Sequence, residues 1–232
     1  IVKGPDSVYS GRGSGGGSIN LSSKSPRLTD FVNATAGVGT DGYRRGTVDG
    51  NWRLSETAAF RLNLMAAEGE VAGRGPVDYD KFGLAMAFAT GLGADTTATF
   101  SYYHLTSDQL PDYGIPLYTK LGGANAPRPD ASGVLDVPYD AFYGLIARDY
   151  LRNEVDSATV ELEHRFSDSL RLRNVTRYAQ TLNDYVVTNP GDGGAAQLID
   201  GVWWMKRGTK SRWNPADTFA NVTDLSGDFV TG

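Results

Sequence analysis

The 232-residue sequence predicts an all-β chain of about eight antiparallel strands, a barrel with two unlike faces. Three observations carry that prediction. Segments of about ten residues alternate apolar with polar side chains, the period of a strand whose two faces meet different surroundings. The links between them alternate short and long, as in an outer-membrane barrel with tight turns at one end and long loops at the other. Glycine is abundant, at 29 residues, and cysteine is absent, which suits a turn-rich sheet and leaves no disulfide framework or thiolate metal site.

The chain opens on a segment that is not yet a strand of that sheet. Lys3-Gly4-Pro5, Tyr9 and a glycine-serine crest from Gly11 to Ser18 precede a short apolar step at Ile19. Gly11, Gly13 and Gly16 satisfy the spacing of the dinucleotide fingerprint, which needs a strand before it and a helix after it. Residues Gly17 to Ser22 alternate as a strand instead, so a glycine-rich turn between strands is the reading that fits.

Strands are expected near 30–39, 43–54, 57–67, 79–90, 96–106, 154–166, 169–181 and 216–229, the last being the least regular. In the fifth, Ala98, Phe100 and Tyr102 oppose Thr97, Thr99, Ser101 and Tyr103. In the third, Phe60, Leu62 and Leu64 oppose Arg61 and Asn63. The fourth sets Phe82, Leu84, Met86 and Phe88 against Lys81, Gly83 and three alanines. The sixth is the clearest, with Ala158, Val160, Leu162 and Phe166 on one face and Ser157, Thr159, Glu161, Glu163 and Arg165 on the other.

Leu54-Ser55-Glu56, Gly91 to Asp95 and Ser167-Asp168-Ser169 read as tight turns, while residues 68–78, 107–153 and 182–215 read as long loops. Thr40-Asp41-Gly42 is a short hairpin where the scheme allows a long one. Symmetric pairing about the Ser167–Ser169 turn sets Glu163 opposite Arg173 and Thr159 opposite Arg177, and such a cross-strand charge pair contributes roughly 0.2 to 1 kcal/mol. Charges on the polar face favour a transport barrel over a soluble sandwich.

Composition removes several functions. The formal net charge of -5 gives no support for nucleic-acid binding. The longest apolar stretch, Phe82 to Leu92, is broken by glycines and Thr90 and falls short of the 18 or so residues of a membrane helix. With neither an initiator Met nor a signal peptide at Ile1, the chain is expected to be an internal piece of a longer precursor. No Ser-His-Asp or paired-carboxylate constellation is readable from spacing, so no enzyme activity and no cofactor are assigned. His104 and His164 are too few and too far apart in sequence to point to a metal site. Asp130, Asp136 and Asp140 lack the glycine and terminal glutamate of a calcium loop.

The opening segment resembles the end of the plug domain of TonB-dependent outer-membrane receptors, where a K/R-G-P turn, an aromatic-glycine pair and a glycine-glycine step lead into the barrel. Lys3-Gly4-Pro5, Tyr9, Gly11-Arg12-Gly13, Gly16-Gly17, Ile19-Asn20 and Lys24-Ser25-Pro26 match in order, with Ser10 inserted between the aromatic residue and its glycine. Pro111 to Pro116, Leu172 to Tyr178 and Asn221 to Gly232 extend the likeness along the whole chain. It is most similar to the siderophore receptors, the catecholate type above all.

The resemblance implies the C-terminal end of a plug in residues 1–26 and the N-terminal part of a transmembrane β-barrel in 27–232, with about eight of the family's roughly 22 strands. As given, these form an open, curved sheet with the N-terminal segment on its polar concave face. It also implies import of a ferric siderophore across the bacterial outer membrane. TonB would be the partner, engaged through a part outside this chain, and outer-membrane lipid would surround the strands.

An anionic, aromatic iron chelate suits cationic and aromatic side chains on outer loops. Tyr113, Tyr118, Lys120 and Arg128 in one loop, and Trp203, Trp204, Lys206, Arg207, Lys210, Arg212 and Trp213 in the other, are the candidates. The tryptophan cluster also fits an aromatic belt at the membrane interface. Lys3 and Arg12 are expected to pair with lumen carboxylates such as Glu161 or Glu163. Haem, cobalamin or sugar as cargo, and a passive porin-like barrel or an adhesin, are the competing readings.

Overall fold

The computed structural model describes residues 2–3, 16–18, 23–118, 133–134, 137–191 and 197–228. A two-residue pair, β1 (Val2–Lys3) with β2 (Gly17–Ser18), joins the ends of the opening segment. Eight long strands form one open antiparallel sheet. They are β3 (Phe31–Val38), β4 (Arg44–Arg53), β5 (Ala59–Glu70), β6 (Asp78–Thr90), β7 (Thr96–Gln109), β10 (Tyr150–Ser167), β11 (Leu170–Pro190) and β14 (Arg207–Gly227). Each pairs with its neighbours in chain order. Two small hairpins sit in the loops: β8 (Leu117–Tyr118) with β9 (Gly133–Val134), and β12 (Gln197–Ile199) with β13 (Val202–Trp204).

The register fixes the faces. Trp52, Phe60, Phe88, Phe100 and Val160 are successive cross-strand partners, and one residue along runs the polar row Asn51, Arg61, Ala87, Ser101, Thr159 and Arg177. Because side chains alternate along a strand, these rows lie on opposite faces. The apolar face is open: Phe100 and Leu162 are each 50% exposed and Phe219 is 71% exposed. A run of large apolar side chains this long marks a surface that another apolar medium covers. At Gly50 the apolar face has no room for a side chain, because an added Cβ would lie 2.3 Å from the Trp52 ring, which stacks on Phe60 with centroids 6.1 Å apart.

The turns after β4, β6 and β10 share one end of the sheet. Leu92 N donates to Thr57 O, Arg165 N to Asp95 O and Asp228 N to Ser169 O, tying each turn to the next. At the opposite end Glu70 N donates to Asp41 O and Leu110 N to Asp78 O. The Asp41-Gly42 hairpin therefore belongs with the long loops. Both of its central residues have positive φ, 56° and 66°, as the twist-matched two-residue turn requires.

The strands differ from the sequence expectation at their loop ends. β10 starts at Tyr150 rather than 154, β11 runs to Pro190 rather than 181, and β14 starts at Arg207 rather than 216. The link expected over 182–215 is thus mostly ladder, and its true connection is residues 191–206. The physical reason is that β11 and β14 pair over 21 residues, whereas about ten suffice to cross a bilayer. Past the stretch where one face needs an apolar covering both faces are wet, so the alternation that reveals a strand disappears while the backbone pairing continues.

Candidate functional site

The polar face receives the segment that precedes β3. Asn51, fully buried, donates its amide to Arg27 O and Thr29 O at 2.7 Å each and accepts from Arg27 N at 3.0 Å. Arg61, 7% exposed, meets Asp49 through two bonds of 2.9 Å and reaches Ser25 O at 2.8 Å. Lys24 Nζ completes the set on Asp49 Oδ2 at 2.7 Å and on Asn63 at 3.2 Å. The Arg61 guanidinium lies 5.1 Å from the centre of the Phe31 ring. Asp49 faces Asn63 and Asn51 faces Arg61 across the β4–β5 ladder, so a two-residue-wide patch on adjacent strands fixes both side chains and backbone of the entering chain.

Farther round the same face, β10 and β11 pair as the symmetric turn predicts, with Thr159 opposite Arg177 and Glu163 opposite Arg173. The tight ion pair is diagonal, however. Arg173 clasps Glu161 at 2.8 and 3.0 Å, while Glu163 lies 3.7 Å from Arg171. Diagonal neighbours on a ladder stand about 7–8 Å apart, still within reach of a long guanidinium. Of the expected plug contacts, Lys3 falls in β1 without a described side chain, and Arg12 lies outside the described residues.

At the loop end, the β5–β6 link and the loop between β7 and β10 are locked to one another. Arg74, 8% exposed, donates to Asp112 at 2.7 Å, to Tyr139 O, and to Ala141 O at 3.4 Å, and its guanidinium sits 5.2 Å from the Tyr139 ring centre. The hydrogen bond to Asp112 holds the Arg74 pKa above its ordinary value despite burial. The other Asp112 oxygen accepts from Gly114 N at 2.7 Å. Gly114, at φ 76°, lets the chain reverse and presents Tyr113 at the tip, 54% exposed, between the buried Pro111 and Pro116.

A second lock holds residues 137–149 against the long strands. The Asp149 carboxylate has no exposed surface and accepts from Leu145 N at 3.0 Å, Thr188 N at 2.8 Å and Arg148 Nε at 3.0 Å. Burial alone would raise its pKa, but these bonds together hold it below the ordinary carboxylate value. Arg148 also reaches Thr188 at 2.7 Å and Thr209 at 3.0 Å, bridging β11 and β14.

The predicted ligand residues divide accordingly. Arg207, exposed at the start of β14, donates to Tyr143 O at 3.2 Å and Gly144 O at 3.4 Å, so it braces the neighbouring loop. Trp204 is 60% exposed on the β12–β13 hairpin, whose Asp200-Gly201 turn has φ 51° and 77°. Lys206 is exposed beside it, and the Trp203 backbone pairs with Leu198. The Tyr118 backbone pairs with Gly133, while Lys120 and Arg128 lie outside the described residues. Lys210, Arg212 and Trp213, expected in a loop, belong to β14.

Sequence reasoning did not single out Asp49, Asn51, Arg61, Arg74, Asp112 or Asp149. The first three were visible as charges and an amide on polar strand positions, but their shared target is the chain at 24–29. A cleft of about 720 Å³ at the loop end is lined by six acids, Glu68, Glu70, Asp78, Asp80, Asp108 and Asp149, against two cations, Arg44 and Arg152. The even-numbered acids lie on the apolar side of the register. Its charge and its position both disfavour an anionic ligand entering through the polar lumen.

No family model matches the chain. Its full length aligns with the probable TonB-dependent receptor BfrD of Bordetella pertussis, 40% identical and covering 30% of that protein. The structure superposes with the ferric-catecholate import receptor Fiu of Escherichia coli K12 at TM-score 0.88 and 32% identity, over 99% of this chain and 36% of that one. Along its whole length the chain is homologous to TonB-dependent receptors. The siderophore receptor PiuA of Acinetobacter baumannii gives TM-score 0.85 at 35% identity, over 99% of this chain and 32% of that one. The chain thus spans about a third of the length of the relatives it matches. In this family the apolar face is the lipid side of an outer-membrane barrel and the polar face its lumen wall.

Proposed function

We propose that this receptor imports a ferric siderophore of the catecholate class and that the chain is its junction between plug and barrel, with residues 1–26 ending the plug and 27–232 beginning the barrel. What carries the reading is the likeness to Fiu along the full length of the chain. The anchored segment 23–30 gives the reading a mechanical sense. Force arriving through TonB on an upstream plug would be resisted at Asp49, Asn51 and Arg61, so the movement that opens a path lies before Lys24.

Ligand capture is assigned to the loop end, through Tyr113, Tyr118 and Lys120 in one loop and Trp203, Trp204, Lys206 and Arg207 around the β12–β13 hairpin. Ring faces and cations there suit an anionic iron-catecholate complex, and the Arg74 and Asp149 locks support the reading by holding the intervening loops in one arrangement. Glu161 and Glu163 already face arginines of β11, so Lys3 or Arg12 would join each as a second cation from the plug. The deciding experiment is binding of ferric catecholate, hydroxamate and citrate chelates to the full-length receptor. Catecholate should bind most tightly, and absence of preference for any iron chelate overturns the assignment.

A further inference from the structure

We propose that His104, Glu154 and Asp156 form a divalent-cation site on the outward face of the barrel, where the apolar belt gives way to charged residues at the loop end. One ring nitrogen of His104 and one oxygen from each carboxylate lie within 4.8 Å of one another. His104 and Asp156 are direct partners across the β7–β10 ladder, and Glu154 stands two residues farther along on the same face. Below them that face carries Phe100, Tyr102, Ala158 and Val160. Above them it carries Asp108 and Arg152.

Two features distinguish this set from an ordinary solvated acidic patch. Its third member is an imidazole, and its charge has no cationic arginine or lysine in place. Among the described residues Glu154 enters no ion pair, and Asp156 pairs only with His104, at 2.9 Å. The nearest arginine along β10, Arg152, is committed to Asp108 at 2.7 Å. The Tyr102 hydroxyl and His104 Nδ1 both use Asp156 Oδ1, so Oδ2 accepts no bond from the described residues. These donors fix the carboxylate's orientation while leaving an oxygen to coordinate.

All three residues are half-buried, and the Phe82 ring flanks His104 with centroids 6.2 Å apart. Two carboxylates at the edge of a low-dielectric belt repel each other more strongly than in water. A divalent ion removes that cost. One imidazole with two carboxylates suits first-row ions such as Zn²⁺, Co²⁺ or Ni²⁺, and a flat sheet face leaves the outer coordination positions to water or phosphate oxygen.

The test uses the full-length receptor in detergent, stripped with chelator and titrated with Zn²⁺ in the absence of siderophore. The wild type should take up one more ion than H104Q, E154Q or D156N. With Cu²⁺ as a probe, nitrogen hyperfine coupling from one imidazole should vanish in H104Q. Heat-modifiable migration establishes that each variant is a folded barrel, and E154Q, which removes no hydrogen bond or ion pair among the described residues, guards against a folding defect in the others. Equal Zn²⁺ uptake by the wild type and folded E154Q and H104Q overturns the proposal. The site does not depend on the cargo, so failure of siderophore binding leaves it standing.

Discussion

Replacing Asn51 with alanine should loosen residues 23–31 from the lumen wall while leaving the barrel intact. The side chain is fully buried and makes three hydrogen bonds, two to carbonyls of Arg27 and Thr29 and one from Arg27 N. At about 1 kcal/mol net for each bond, the loss is about 3 kcal/mol. Since each 1.4 kcal/mol is a factor of ten, local opening should become about a hundredfold more frequent. Hydrogen exchange of the peptide covering 23–31, read by mass spectrometry on the full receptor, measures that opening directly. Exchange in β6 and β7 should stay unchanged, because their backbone amides are held by the sheet ladder itself. N51D should open the segment at least as much, since it sets a carboxylate against two carbonyls that need donors. Unchanged exchange in N51A would refute the idea that wall contacts, rather than chain connectivity alone, hold the entry segment.

Acid should release the loop lock at Asp149. Its pKa is depressed in the folded state, so its stabilising contribution is complete above the unfolded value of about 4 and is lost as pH falls through the lower folded value. Exchange at residues 145–149 and 186–188 should rise on that acid side in the wild type, and D149N should show raised exchange at neutral pH with little further acid response. Gly91→Ala should impair barrel assembly, because φ is 75° and an added Cβ would lie 1.9 Å from Thr96 O. The strain of the positive φ alone costs about 1 to 3 kcal/mol, and heat-modifiable migration reports the loss. Trp204→Ala combined with Lys206→Gln should weaken ferric-catecholate binding about tenfold, as expected for one ring contact and one charge contact of about 0.7 kcal/mol each, with the barrel still folded. Unchanged affinity returns both residues to an interface role. Glu161→Gln should change barrel stability by less than about 1 kcal/mol in a denaturant titration, since its pair with Arg173 is over a third exposed on both sides.

The two-residue period was enough to give strand faces, and the Ser167–Ser169 turn was enough to give register. Thr159 does oppose Arg177, and Glu163 does oppose Arg173. Pairing is local arithmetic once a tight turn is recognised, because each residue away from the turn has one partner. The same arithmetic stopped at the partner of Glu161, since the diagonal reach of Arg173 depends on sheet twist and on where Asp224 of β14 also stands, 3.9 Å from Arg173. Strand ends were illegible for a different reason. Residues 182–190 and 207–215 mix polar and apolar positions, because above the membrane neither face is required to be apolar.

The class, the orientation of the faces and the order of turns and loops were legible in the residue pattern, because lipid on one side and a wet lumen on the other impose alternation residue by residue. The sequence also carried the family, through the ordered motifs from Lys3 to Pro26. Which charges act follows from the folded arrangement alone. Asp49, Asn51 and Arg61 matter because the chain from Lys24 to Thr29 lies on them. Arg74 meets Asp112 across 38 positions, and His104 meets Asp156 across 52. Such contacts join residues whose separation along the chain is set by loop length, and loop length leaves no periodic trace from which the partner can be read.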